Sequence, residues 1–406
     1  MGLSRTNKEK SLHLAIDATN VKKGGGLTHL SQLLKNFNPV STEINKVTIW
    51  ACKESALYLP KSPKFKIITP FWAEKNIIIR SFFQQFFFVN EIKKNGCEIL
   101  FSPGGTIPFL CSLPVITLSQ NMLPFESEPA NHFGKFSLMR FKFWLLKLAQ
   151  GRSFKAANGV IFLTKYAENF ISKSLKTHFQ NKVIIPHGIE SRFFQKPRQQ
   201  KPLSSFSHNN PIKFIYVSIL MPYKHQCEIA KAAKVVHDKG IEIEIKFIGS
   251  DWSWYGKKFK SMIELLDPNH EFLIWDGFVS FEKLHDYYKN SDIFIFGSSC
   301  ENLPNILIEA MASGLPIVSS NAGPMPEILG NSAVYFNSYN EASIVDAIIK
   351  ISNDELLRKN LSSSSWSIAK NFSWERCANE TFKFIYNTAV ESSMEKEKSQ
   401  KGVINV

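Results

Sequence analysis

The sequence predicts an α/β protein made of two units, each a parallel, doubly wound sheet covered by helices, facing each other across a cleft. Three observations predict it. Short apolar runs rich in β-branched and aromatic residues alternate with longer helical patterns through the 406 residues. A polar stretch rich in Pro and Ser, QKPRQQKPLSSFSHNNP at 195–211, divides that series into two of similar size and reads as a linker. The length suits two to three domains, and 44% apolar content suits a packed core.

The strands expected in the first half are LHLAID, VTIW, FKIIT, EILFS, PVITLS, GVIFL and KVIIP. Those in the second half are IKFIYVS, IEIKFIG, EFLIW, DIFIFG and PIVSS. Each is short and continuous in apolar residues, the pattern of strands buried on both faces. Helical patterns fall between many of them. KHQCEIAKAAKVVHDKG is one, and it stops at Gly240. The tail ESSMEKEKSQKGVINV is expected to be disordered.

Composition narrows the partners. The formal net charge of +14 favours anionic ones: nucleotides, phospholipid surfaces or nucleic acid. The six cysteines, at 52, 97, 111, 227, 300 and 377, show no metal-ligand or redox spacing and read as free thiols in a reducing, cytoplasmic setting. The first residues hold no apolar run of signal-peptide length, although Gly2 and Thr6 fit the loose myristoylation pattern. No apolar run is long enough to span a bilayer. From Pro129 to Tyr166 there is no acidic residue, while Lys135, Arg140, Lys142, Lys147, Arg152, Lys155 and Lys165 occur, several of them interleaved with aromatics in FSLMRFKFWLLKLAQ. A helix of this kind suits an anionic membrane surface. A domain helix with snorkelling cations is the other reading, because apolar residues ring the whole helix.

The most informative stretch is SSCENLPNILIEAMASGLPIVSS, residues 298–320. Pro304 suits the first helical position, Asn302 or Leu303 the cap, and Gly314 the stop. Glu301 then lies in the loop that follows the strand DIFIFG, and Glu309 lies within an apolar helix. Free backbone N–H groups at a helix start favour an anion, most often a phosphate. Ligands of doubly wound sheets bind outside the carboxyl ends of the strands. A sugar diphosphate nucleoside satisfies all three features: phosphates at the helix start, and sugar hydroxyls accepted by a carboxylate at each end. The alternative is a capped helix with both glutamates on a solvated face, which the flanking ILI and AMASG make less suitable.

Glu301, Glu309, Ala310, Ala312, Ser313, Gly314, Pro316 and Ile317, followed by NAGPMPEIL, resemble the donor-binding signature of the retaining glycosyltransferases of family 4. That family, the glycosyl transferases group 1, has the GT-B fold of two Rossmann-like domains. KGGGLTHLSQLL, GVIFLTKYAENFI with VIIPHGIE, FIYVSILMPYKHQCEIAKA and FSWERCANETFKFIYN resemble further segments in the family's order, so the likeness runs through nearly the whole chain.

The resemblance implies an acceptor-binding domain over 1–200 and a nucleotide-sugar-binding domain over 201–372. A helix over 373–390 would cross back to the first domain, with the tail over 391–406. It implies transfer of a hexose, with retention, from a nucleoside-diphosphate sugar to a saccharide or lipid-linked saccharide of polysaccharide or lipopolysaccharide synthesis. Neither a metal nor another cofactor is implied. Glu301 and Lys224 would be catalytic, the first on hydroxyls of the transferred sugar and the second on the diphosphate. Gly25, Gly26, Asn302, Leu303, Pro304, Asn305 and Glu309 would bind substrate, Glu309 through the ribose. The implied address is cytoplasmic, peripheral on the inner face of the membrane.

Some positions depart from the family pattern. Ile219 stands where an Arg of the diphosphate clamp is usual, leaving Lys22, Lys23 or another cation as substitutes, or a weak activity. Ser119, Gln120 and Asn121 stand where many members have a His, and His187 reads as structural or cleft-lining. Other readings are a nucleotide-sugar epimerase or phosphorylase on the same architecture, a degenerate transferase that binds without turnover, and a basic protein that binds membrane or nucleic acid. No nucleic-acid motif accompanies the cations.

Overall fold

The computed structural model describes residues 12–22, 24–134, 137–251 and 253–403. The Gly2 and Thr6 pattern, Lys23 and Lys135 lie outside the described residues. The chain divides into two compact units. The first takes the residues up to Gln120, Leu145–Gly188 and the chain from Trp374 on; the second takes Asn121–Trp144 and Ile189–Ser373.

The first unit is built on strands β1 (Leu12–Ala18), β2 (Ile44–Ala51), β3 (Phe65–Ile68), β4 (Ile99–Ser102), β5 (Val115–Leu118), β6 (Gly159–Phe162) and β7 (Lys182–Ile184). All pair in parallel, in the order β3-β2-β1-β4-β5-β6-β7. These strands coincide with the seven apolar runs of the first half. β4, β5 and β6 are buried at every position, as expected of strands covered on both faces. Trp50, Trp72 and Phe88 form an aromatic core between the sheet and its helices.

The second unit is built on β8 (Ile212–Val217), β9 (Ile243–Ile248), β10 (Leu273–Gly277), β11 (Ile293–Phe296), β12 (Ile317–Ser320) and β13 (Val334–Phe336). They too are all parallel, in the order β10-β9-β8-β11-β12-β13. The sequence expectation lacks β13, whose three residues are too few to carry a periodic signal. In both sheets the strand order reverses beside the first strand, between β1 and β4 and between β8 and β11. Such a switch point leaves a crevice at the carboxyl ends of the strands, where ligands of this architecture bind.

Three expectations need correction. The polar stretch 195–211 is strapped to the second unit rather than being a free linker. Gln195 N donates to the Ala312 carbonyl at 3.0 Å, and the Arg198 guanidinium donates to the Ser291 carbonyl. The fully buried Arg358 reaches the Lys201 carbonyl at 2.5 Å, with two more bonds to the carbonyls of Ile351 and Ser352. Next, Asn121–Trp144 groups with the second unit although it lies within the first half of the sequence. His132 stacks on Tyr339 at 5.9 Å with planes 2° apart, a pairing that no local pattern announces. Finally, the last helix runs Trp374–Val403, so residues 391–403 are helical and not a disordered tail. Its near end packs on the first unit, with Phe382 on Phe37 at 4.7 Å and Thr388 Oγ1 accepting from Asn181 Nδ2 at 3.1 Å.

The basic stretch forms a helix, Leu138–Ala156. Its exposed apolar residues are Leu138, Phe141, Trp144, Leu145 and Leu148, while Phe143 and Phe154 are buried. That spacing of three and four places the exposed set along one side of the helix, a stripe that the sequence pattern did not resolve. Among the described residues no helix is long and apolar enough to cross a membrane. None of the six cysteines is in a disulfide, and five of them are buried.

Candidate active site

The carboxyl ends of β8 and β11 flank the switch point of the second sheet, and the chemistry-bearing residues leave from them. After β8 the chain passes Ser218 and Ile219 and makes a 3₁₀ turn, Pro222–Lys224, before the helix Gln226–Asp238. Pro222 presets the turn, and His225 takes a left-handed conformation, φ 56°, to enter the helix. Tyr216, on β8, donates its hydroxyl to the Lys224 carbonyl at 2.5 Å and so fixes the turn against the sheet. After β11 the chain runs Gly297–Leu303 into the helix Asn305–Ala312. The two exits are joined: Ser299 N donates to the Tyr223 carbonyl at 2.9 Å, and His225 Nε2 and Ser299 Oγ are 3.0 Å apart. Gly297 is required here, because a Cβ would stand 2.7 Å from Ile229 Cδ1 and 3.2 Å from the Lys224 carbonyl oxygen.

The result of this junction is a direct ion pair between Lys224 Nζ and Glu301 Oε1. The two side chains are only 9% and 14% exposed. A lysine so enclosed, with the rings of Tyr223 and Phe296 at 5.2 and 5.8 Å, is not a solvated helix-start cation. Seventy-seven residues apart in sequence, the two groups designated catalytic are brought together by the reversal of strand order.

Glu309 lies a turn further along the helix Asn305–Ala312, among Leu307, Ile308, Ala310, Met311 and Ala312, all buried. Its own residue is 7% exposed. Tyr288 donates its hydroxyl to Glu309 Oε2 at 3.3 Å. Burial outweighs that bond and the nearby Arg192 and pushes the carboxyl up to about 7. Such a group is poised between forms near neutral pH, and hydroxyl donors from a ligand would favour the ionised one. The helix starts one residue later than expected: Pro304 is the cap and Asn305 the first helical residue, while Gly314, at φ +67°, ends it as expected. Asn302 is buried and Leu303 is 6% exposed beside it. Asn305 Oδ1 is buried with no hydrogen-bond partner among the described residues.

Gly25 and Gly26 belong to the first unit, where they open the helix Gly25–Lys35 after β1. Gly26 lies close to Gln120: a Cβ there would stand 2.9 Å from Gln120 Oε1, the end of a side chain that can turn aside. Gln120 follows β5, and its Nε2 lies 3.2 Å from His29 Nδ1. His187 is buried against His29 and Trp374, and burial lowers it to about 3, so it is a neutral packing residue at ordinary pH. Ile219 is 42% exposed, and its carbonyl accepts from Gln226 Nε2 at 2.9 Å. Among the described residues no group of His, Cys, Asp or Glu is placed to hold a metal ion.

Sequence reasoning missed Tyr216 and Tyr288, which hold Lys224 and Glu309. A tyrosine within the otherwise apolar run IKFIYV is a usable signal for the first, since a buried hydroxyl needs a partner. Tyr288 offers no such signal, because its partner lies 21 residues away on another element.

The two parallel, doubly wound sheets define the class of the fold, GT-B. The structure of Anabaena HepE in complex with UDP-glucose superposes with a TM-score of 0.67 at 15% identity, covering 94% of this chain and all of that one. More narrowly, residues 198–365, which lie in the second unit, match the family model described as Glycosyl transferases group 1. An uncharacterized glycosyltransferase of Methanocaldococcus jannaschii is 23% identical over 220 residues, 54% of this chain and 56% of that protein. The capsular polysaccharide biosynthesis glycosyltransferase CapH of Staphylococcus aureus is 26% identical over 257 residues, 62% and 67% of the two chains. The chain thus spans about half the length of the first of these relatives.

Proposed function

We propose that this chain transfers a hexose from a nucleoside-diphosphate sugar, with retention at the anomeric carbon, to a saccharide or lipid-linked saccharide used in cell-surface polysaccharide or lipopolysaccharide synthesis. The enclosed Lys224–Glu301 pair at the switch point carries this reading. HepE, of like fold, has a structure in complex with UDP-glucose, and CapH is named for capsular polysaccharide synthesis; both agree with it.

In the proposed reaction the donor diphosphate lies at the start of the helix Asn305–Ala312, facing the backbone around Asn302, Leu303 and Asn305. It takes Lys224 from Glu301. The lysine then neutralises charge that grows on the leaving phosphate as the glycosidic bond breaks. Glu301, released, accepts hydrogen bonds from hydroxyls of the transferred hexose. Glu309 accepts from the ribose diol, oriented by Tyr288. The leaving phosphate takes the acceptor's proton on the face it vacates, so retention needs no enzyme nucleophile and no metal. Gly25 and Gly26, at the start of a helix of the first unit, are assigned to substrate binding in the same proposal. Cytoplasmic placement belongs to the same proposal, since nucleotide sugars would have to reach the site.

Glu309 gives a test through pH. Its folded value, about 7, lies above the ordinary 4.5. Between these values the unfolded chain releases the proton first, so stability falls as pH rises from about 4.5 to about 7 and is level above. Donor affinity runs the other way: it needs the carboxylate and falls below pH 7, by up to about tenfold per unit. A UDP-sugar is the right probe, because its esterified diphosphate does not titrate there. Isothermal titration across this window should show the slope, and Glu309→Gln should bind more weakly and remove the slope. A wild-type affinity that does not change with pH, or a Gln variant that binds as well, removes the ribose role.

Glu301→Gln is expected to lower kcat by about 10²-fold with a small change in donor Kd, because sugar-hydroxyl bonds strengthen in the transition state. Thermal shift against UDP-, GDP- and ADP-sugars selects the donor, and product NMR reads the anomer. Inversion would refute retention, and normal turnover in the variant would refute the role of Glu301.

A further inference from the structure

A hydrogen-bond series runs behind the Lys224–Glu301 pair, through side chains that the proposed reaction does not use. After β13 the chain passes Ser338, which donates to the Gly297 carbonyl at 2.7 Å, and then presents Tyr339. The Tyr339 hydroxyl donates to Ser299 Oγ at 3.3 Å, and Ser299 Oγ lies 3.0 Å from His225 Nε2. The Tyr339 ring is set on two sides, edge-on to His225 at 4.7 Å and stacked on His132. On the far side of the imidazole, His225 Nδ1 faces Glu228 Oε2 at 3.7 Å. Both atoms are buried with no hydrogen-bond partner among the described residues. The Glu228 side chain is 38% exposed, so a small turn of it closes the gap to hydrogen-bond length.

Chemistry places the hydrogens. Burial, with His132 beside it, holds His225 down at about 4, so the ring is neutral at ordinary pH and carries one proton. A carboxylate only accepts, so the proton belongs on Nδ1, facing Glu228. Nε2 is then an acceptor, and the Ser299 hydroxyl donates to it. That hydrogen is free to do so. The Tyr223 carbonyl, 3.2 Å from Ser299 Oγ, already accepts the Ser299 N–H at 2.9 Å. The other tautomer would set a ring lone pair against a carboxylate. Every donor thus points the same way, from Tyr339 through Ser299 and His225 to Glu228, an arrangement in which each bond strengthens the next. His225 follows Lys224 directly, and Ser299 stands two residues before Glu301. Resting on the transfer reaction above, we propose that this series fixes the backbone under both members of the pair, and that His225 and Ser299 are positioning residues that hold Lys224 where the leaving diphosphate gathers charge.

Heteronuclear NMR of the full chain with labelled histidine reads the tautomer. His225→Asn assigns the signal, since Asn tolerates the left-handed backbone at this position. A neutral ring protonated at Nδ1 is expected in the wild type, and a ring protonated at Nε2 overturns the series. Ser299→Ala should lower kcat by about tenfold, the effect of a small displacement of a charge-stabilising group, while donor Kd changes by less than about threefold. Glu228→Ala should lower kcat by about threefold, and Glu228→Gln, whose amide oxygen still accepts from Nδ1, should restore most of it. A merely structural role would lower melting temperature and donor affinity together with kcat, and Gln at 228 would not rescue it. That pattern, or wild-type kcat in both alanine variants, overturns the positioning role. A wild type that transfers no sugar refutes the transfer reaction and the positioning role with it, while the tautomer still decides the hydrogen-bond series.

Discussion

Replacing Lys224 with Met should lower the turnover of sugar transfer by about 10²–10³, the usual cost of one placed group that stabilises charge in the transition state. The prediction rests on enclosure. At 9% side-chain exposure the ammonium works in a medium where a charge is worth far more than in water. Ile219, where the family pattern has an arginine, makes the dependence on Lys224 greater. A second effect has to be separated out. Met at 224 leaves Glu301, 14% exposed, without its cation, and a partly buried unpaired carboxylate costs stability of about 1–3 kcal/mol. The double variant Lys224→Met with Glu301→Gln removes the stranded charge. It should melt near the wild type while remaining at least as slow as the Lys224 variant. Turnover number and melting temperature on the same samples decide the matter. A Lys224→Met chain with unchanged kcat would sink the proposed role.

The largest stability effect should come from Gly249→Ala. Gly249 ends β9 with φ +144°, a region L residues rarely adopt, and a Cβ would stand 1.9 Å from the Ser218 carbonyl oxygen. Both of its backbone polar groups are committed. Its N–H donates to the Gly277 carbonyl at 2.7 Å, and its own carbonyl accepts from Trp275 Nε1 at 3.0 Å. The chain cannot give way without opening the ends of β8, β9 and β10 together. Strained backbone costs about 1–3 kcal/mol and overpacking about the same again, so a loss of about 4 kcal/mol is expected. For a unit of this size that is roughly a 10 °C fall in melting temperature. Gly240→Ala is the control. It too has positive φ, +78°, but nothing lies within 4 Å of its Cβ, so it should cost about 1 kcal/mol. Equal losses at the two sites would show that contact with Ser218 does not matter. Because Ser218 leads into Ile219 and the Lys224 turn, the Gly249 variant should also weaken donor binding.

The sheets were legible because parallel strands covered on both faces need continuous apolar runs, and DIFIF or VIIP can hardly be anything else. The spacing of Glu301 and Glu309 was legible for a related reason: a carboxylate within ILIEAMASG has no easy solvated position. The strap at 195–211 was misread as a linker since Pro and Ser composition reports polarity, not the backbone bonds that Gln195 makes to Ala312. The tail was misread as disordered for the same reason, composition being silent on a helix that continues from a well-packed start at Trp374.

By itself, then, the sequence determined which segments are strands, which helix bears the two carboxylates, and that the chain is strongly basic, because periodicity and charge are local properties of a chain. Only the tertiary structure decided that Glu301 closes on Lys224, that Glu309 is buried against Tyr288, and that Ser299 meets His225. Each of these depends on which distant groups share a dry space, and burial and proximity are set by the strand order of a sheet, which no single segment encodes.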